Sequence, residues 1–330
     1  MTRILTRGFE SGLLDEEADA GNNHSIVTSP VRTGTYALRV GNNSGNYARW
    51  SIPATDVIYA GWAFRTESIS NNLQNILFVK SSNSNLELEA NLDHSLNVAR
   101  GSTVLATSAG SVWQFDTWHY IEMYIYIANA SGRAVVKVDG NTVIDFTGDT
   151  QENSDADLTQ FELRPIHNSI SYVDDVVVND DAGSVNNTYP GIISLEPVFP
   201  DSAGDTTQLQ RGGTDSGNNW DQVDEQPADG VSYVYDTVVD DNDLYNLADF
   251  TLPAGASISN VIVQARAQID SGAGNMRVML KAGTTEAEGS TEVLAASYKI
   301  LSQEWDVNPD DSGAWEEADI DALQIGVKVK

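Results

Sequence analysis

Two adjacent aspartates, Asp174 and Asp175, stand inside the run "SYVDDVVVND" (residues 171–180), which otherwise has the composition of a buried β-strand. Successive strand residues point to opposite faces. Alternation therefore puts Ile170, Tyr172, Asp174, Val176 and Val178 on one face and Val173, Asp175 and Val177 on the other. One carboxylate falls among apolar neighbours whichever face is the core. Burying it is costly unless it is hydrogen-bonded, paired or bound to a metal, so the pair marks a structural joint, a cation site or a catalytic site.

A second carboxyl pair lies in "LELEA", where Glu87 and Glu89 share one strand face. Retaining glycosidases hold two carboxyl groups about 5 to 5.5 Å apart, so this pair belongs among the catalytic candidates. The single-strand Glu-x-Asp-x-(x)-Glu spacing of glucanases is absent, and the wet face of an amphipathic strand would give the same alternation. Calcium, which takes several oxygen ligands, is the cofactor to consider for "ENSDAD", "FPDSAGD", "DQVDEQPADG" and "VVDDNDLY", although none has EF-hand spacing. Acidic loops in a chain this acidic are usually just solvated, which is the simpler reading of these segments.

Other chemistries drop out. The chain has no cysteine, and His24, His94, His119 and His167 show no metal-ligand spacing, which removes thiol and zinc catalysis. "GNNSGN" and "GTDSGNN" lack the Gly-x-Ser-x-Gly elbow, and no glycine-rich loop leads into a helix as a phosphate site requires. Among the tryptophans, Trp50, Trp62, Trp113 and Trp118 occupy strand positions suited to a core. Trp220, Trp305 and Trp315 lie in less regular contexts and are the candidate surface aromatics for stacking on a sugar.

The elements that must position these residues are nearly all strands. Short apolar alternations recur in "TYALRV", "IYAGWAF", "LELEANL" and "HYIEMYIYI", and Asp139-Gly140 in "AVVKVDGNTVIDF" is a favoured pair for a tight hairpin turn. Strands this close, without intervening helices, predict a β-sandwich or jelly roll. After residue 180, Gly, Asn and Pro accumulate and periodicity ends, which predicts domains at 1–191 and 192–330. The second half is again strand-rich, with one helical pattern in "AWEEADIDAL", and reads as a smaller β-sandwich with one short helix.

The net charge is −30, with 11 basic and 23 acidic side chains before residue 192 and 7 and 25 after it. Such a balance disfavours nucleic acid and anionic membranes as partners, because both are bound by neutralising phosphate. No apolar run is long enough to span a bilayer, and "MTRILTRGFESG" lacks the apolar core of a signal peptide, so the expectation is a protein used where it is made.

From residue 8 onward the order of "GFESG", "SPVRTGTYALRV", "YAGWAFR", "WHYIEMYIYIANASGRAVVKVDGNTVIDFTGDT" and "ISYVDDVVVNDDAGSVNNTYPG" resembles the laminin-G or concanavalin-like jelly roll of tailed-bacteriophage structural proteins. The second half is similar to a module that follows it in those proteins, through Asn308-Pro309, Trp315, Ile320, Leu323, Gly326 and Val327; "NTYPGIIS" departs from the usual link. The resemblance implies a non-enzymatic virion protein made in the host cytoplasm. It would be a capsid decoration or cement protein that contacts the major capsid protein or other virion proteins, and a homo-oligomer, plausibly a trimer. A tail or fibre module binding host-surface glycan is the alternative, and a glycoside hydrolase using Glu87 and Glu89 is the third reading. Under the resemblance Asp174 and Asp175 are a joint: one bonds loop amides or pairs with Arg39, Arg49 or Arg164, and the other faces solvent.

Overall fold

The alternations become strands in the computed structural model, which describes residues 3–14, 19–20, 24–41, 46–71, 73–81, 85–154, 156–213 and 217–330. The chain divides into two units, Met1–Glu196 and Pro197–Lys330, so the boundary falls after Glu196 rather than at residue 191. Ser44 and Ser216 of the two glycine-serine stretches, and Asp155 of "ENSDAD", lie outside the described residues.

The first unit is built from β1 (Arg3–Arg7), β2 (Asp19–Ala20), β3 (Ser25–Val27), β4 (Ala37–Val40), β5 (Ala48–Thr55), β6 (Val57–Thr66), β7 (Gln74–Lys80) and β8 (Asn85–Ala90). The chain continues through β9 (Leu96–Arg100), β10 (Thr103–Thr107), β11 (His119–Tyr126), β12 (Gly132–Val138), β13 (Asn141–Gly148), β14 (Leu158–Leu163) and β15 (Ser171–Asn179). One sheet runs β13-β12-β11-β6-β15-β4-β3, with β1 also beside β15, and the other runs β10-β9-β8-β7-β14-β5-β2. This is the expected all-β jelly-roll sandwich.

Alternation decides what fills the space between the sheets. Trp62, Ile58, Ile121 and Met123 enter from the first sheet, and Trp50, Leu77, Leu88, Val98 and Phe161 from the second. The Phe161 ring lies 6.3 Å from Trp50 and 6.1 Å from Trp62, which ties the layers together. The hairpin turn forms at Asp139 and Gly140, both at positive φ (49° and 79°), as the Asp-Gly pair permits.

A strap of residues 188–195 crosses the outer face of the first sheet. Gly61 makes room for it, since a β-carbon there would come within 2.8 Å of Pro190 and 2.6 Å of the Tyr120 hydroxyl. The Gly191 amide donates to the buried Glu122 carboxylate at 3.0 Å, and the Asn179 side chain donates to the Thr188 carbonyl at 2.9 Å.

The second unit contains β16 (Pro200–Thr207), β17 (Gln210–Gly213), β18 (Ser232–Tyr235), β19 (Asn242–Leu247), β20 (Val261–Ala267), β21 (Asn275–Ala282), β22 (Thr285–Glu288), β23 (Glu292–Val293), β24 (Lys299–Trp305), α1 (Glu317–Asp321) and β25 (Gln324–Val329). A sheet ordered β16-β19-β25-β21-β22, with β23 against β21, is joined by the two-stranded ribbons β17-β18 and β20-β24. Its core gathers Val263, Leu280, Leu301, Trp315, Ile320 and Leu323. It is the smaller β-sandwich expected, with the single helix shorter than its sequence pattern. A capping box closes the helix start: Glu316 and Asp319 each accept from the other's backbone amide.

Candidate functional site

The outer face of the second sheet of the first unit brings together Glu87, Glu89, Glu162, Arg49, Lys80 and Arg164. On β8, Leu86, Leu88 and Ala90 enter the core, so Glu87 and Glu89 project from the opposite face. Both are only 8% exposed. Each residue is thus buried as a whole, which corrects the wet-face reading of this pair. In the same row, Glu87 pairs across β7 with Phe78, and Phe78 pairs across β14 with Glu162. Glu89 is opposite Asn97 on β9.

Glu162 is fully buried and surrounded by cations. It accepts from Arg49 Nε at 2.8 Å and Lys80 Nζ at 3.1 Å, and its other oxygen accepts from Arg164 Nε. The Arg164 guanidinium lies 4.0 Å from the Phe78 ring centre and Lys80 Nζ 4.9 Å from it, so the ring carries both cations between the carboxyls.

These environments push the carboxyls apart. Burial raises Glu87 to about 7, and the nearby Glu89 charge adds to the shift while Arg164 and Lys80 oppose it. Among the described residues nothing hydrogen-bonds the Glu87 carboxyl. Glu89 is also raised by burial but takes a 3.3 Å hydrogen bond from the Asn97 amide, whose oxygen accepts from Thr107 at 2.8 Å. For Glu162 burial works upward, yet the hydrogen bonds and charges of Arg164, Arg49 and Lys80 outweigh it and hold the group below the usual carboxylate range.

Of this set, sequence reasoning found only Glu87 and Glu89. Glu162, Arg49, Lys80 and Arg164 come from β14, β5, the end of β7 and the residue after β14, whose adjacency is not in chain order. A signal was present in "FELR": Phe161 and Leu163 face the core, which turns Glu162 and Arg164 outward.

Asp174 and Asp175 lie elsewhere, on β15, and form a joint. Strict alternation fails because Asp175 adopts φ +50° and a bulge interrupts the pairing with β6 between Asp174 and Val177. Both carboxyls are fully buried, so neither faces solvent as expected. Their cation is Arg32, not Arg39, Arg49 or Arg164. Asp174 accepts from the Arg32 amide at 3.0 Å and the Asp175 amide at 2.9 Å. Asp175 pairs with the Arg32 guanidinium and accepts from the Thr33 hydroxyl at 2.7 Å and the Leu195 amide at 2.8 Å. Burial and the Asp175 charge push Asp174 well above the usual carboxylate range.

The remaining candidates separate. Trp315 is a core residue, 4% exposed, whose indole N–H donates to the Trp305 carbonyl at 2.9 Å. Trp305 packs half-buried against the same core, and Trp220 is half-buried on a 3₁₀ turn, Trp220–Gln222. The exposed aromatics of this unit are Tyr233 and Tyr235 on β18. "FPDSAGD" runs into strand β16 rather than forming a loop. Among the described residues no group of three or more Asp, Glu or His side chains is arranged to hold a metal ion.

No family model matches the chain, and no curated protein matches it. Solved structures do. The chain is similar to Cip1, a cellulose induced protein, at 13% identity and a TM-score of 0.44, over 57% of this chain and 99% of that one. It is similar to an endo-β-1,4-glucuronan lyase from the fungus Trichoderma reesei at 16% identity and a TM-score of 0.39, over 54% of this chain and 95% of that one. Alginate lyase Aly36B is matched at 13% identity and a TM-score of 0.37, over 55% and 96%. Carbohydrate-related proteins thus stand where the phage resemblance had led to an expectation of virion structural proteins. The readings as a capsid decoration or cement protein and as a non-enzymatic chain are corrected accordingly. Segment order and turn chemistry specify the sandwich, which scaffolds and enzymes share, and not what its sheet faces carry.

Proposed function

We propose that the chain is a carbohydrate-active jelly roll that cleaves a polysaccharide on the outer face of the β10-β9-β8-β7-β14-β5-β2 sheet, with Glu87 as proton donor. The observation that carries this is Glu87 itself: a residue only 8% exposed whose carboxyl has no hydrogen-bond partner among the described residues, beside Glu89 and poised at about 7. Glu162, fully buried on the same sheet face, is by contrast paired with Arg49 and Lys80.

In hydrolysis the Glu87 O–H gives its proton to the glycosidic oxygen as the bond from that oxygen to the sugar carbon breaks. Water adds to the same carbon and loses a proton to Glu89, whose raised affinity for protons suits a base. Glu162 stays ionised and fixes Arg49, Lys80 and Arg164 as donors toward sugar oxygens.

The test is release of reducing ends from a panel of neutral and acidic polysaccharides. The wild-type chain is expected to cleave at least one, and Glu87→Gln to lower kcat by about 10²- to 10⁴-fold. Silence across the whole panel, or full activity in Glu87→Gln with an unchanged melting temperature, would overturn the assignment.

A further inference from the structure

The second unit contains a cavity of about 290 Å³ lined by Ala203, Thr207, Arg211, Asn218, Asn219, Trp220 and Tyr245. Its origin is a fault in strand pairing. Ala203 pairs with Tyr245 and Thr207 with Asp243, so four steps along β16 match two along β19, and the surplus backbone bows away. Bulges of this kind frequently adjoin binding sites.

The wall is held from behind by one fully buried carboxylate. One oxygen of Asp243 accepts from the Gln208 and Leu209 amides at 2.6 and 2.8 Å. The other accepts from the Asn219 side-chain amide at 2.6 Å and the Tyr245 hydroxyl at 3.0 Å. The Asn219 amide also donates to the Leu209 carbonyl at 2.7 Å, which fixes its orientation. Among the described residues its side-chain oxygen has no donor and remains an acceptor on the cavity wall. Thr207 and Asn218 add side chains that can donate and accept, and Trp220 adds an aromatic one to the lining.

We propose that this cavity is a saccharide-binding site separate from the Glu87 face, taking one sugar ring of a larger glycan. A ring edged with hydroxyls needs donors and acceptors at short intervals, and its C–H face needs an aromatic plane. The cavity lining offers both residue types, with Asn219 and Tyr245 fixed in advance by Asp243.

The test is calorimetric titration of the full chain with cellohexaose, xylohexaose, mannohexaose and oligogalacturonate, with Glu87→Gln titrated in parallel. Binding to at least one oligosaccharide is expected. Trp220→Ala should weaken it tenfold or more with an unchanged melting temperature, and Trp220→Phe should restore part of it. If Trp220→Ala fails to fold, the exposed Asn218→Ala serves instead, with at least a threefold loss expected. No heat with any oligosaccharide, or wild-type titration by the folded variants, would overturn the site. Binding is read without turnover, so a chain that cleaves nothing still gives an answer here.

Discussion

At the scale of single residues, Glu87 links the catalytic reading to an equilibrium property. Its proton affinity in the folded chain is raised from the ordinary value of 4.5 to about 7, chiefly by burial. A carboxyl raised in this way contributes stability that is fully present below its unfolded pKa and is lost as pH rises through the folded one. Stability is therefore expected to fall between about pH 4.5 and about pH 7 through this group, and Glu87→Gln should flatten that fall. Asp174, also raised by burial and by the charge of Asp175, remains in both chains and cancels, so the difference between them reports Glu87 together with its interaction with Glu89. Urea midpoints of the two chains across that range decide it. Parallel curves would mean that the carboxyl keeps an ordinary pKa and is no general acid at neutrality.

At the scale of elements, the joint on β15 shows how a short polar defect fastens a long apolar strand to the strap of residues 188–195. Asp175 bonds the Arg32 loop and the amide of Leu195, and Arg32 also donates to the Ile193 carbonyl at 2.6 Å. Removing the cation leaves a fully buried carboxylate unpaired and releases one anchor of the strap. Arg32→Ala is expected to cost about 3 to 5 kcal/mol, the range for breaking one side of a buried ion pair. Chemical denaturation of the variant checks this, and a loss below about 1 kcal/mol would show that water replaces the guanidinium without penalty. The aspartate pair was visible in the sequence as an interruption of alternation, but its geometry was not. Alternation assumes continuous pairing, and the positive φ of Asp175 breaks it, returning Val176 and Val178 to the core beside Val173. The cation partner was hidden for a related reason, since Arg32 reaches the pair from a loop whose sequence has no period. Glu87 and Glu89 were legible because one strand carries both, whereas Glu162 and its cations required knowing that β14 lies between β7 and β5.

At the scale of the whole molecule, apolar alternation, turn residues and the absence of long helical periods were enough to specify two sandwiches, because each signal is local and repeated many times. Charge is the property that sequence shows completely and structure then weights. The chain has 18 basic and 48 acidic side chains, and many of the basic ones sit in ion pairs, such as Lys281 with Asp205, Arg133 with Asp145 and Lys328 with Glu288. Exposed pairs contribute about 0 to 1 kcal/mol each, and salt weakens them. The surplus of acidic groups has no cation to meet and repels across the surface, and salt weakens that repulsion too. With the surplus larger than the number of cations, relief of repulsion should win. The melting temperature is accordingly expected to rise as sodium chloride increases from about 0.02 M to about 0.5 M, where the screening length shrinks well below 10 Å. A thermal scan series in sodium chloride and in tetramethylammonium chloride separates screening from specific cation binding. Equal rises in both salts support the charge argument, and a falling midpoint would show that the exposed ion pairs, rather than the acidic excess, set the electrostatic balance of the fold.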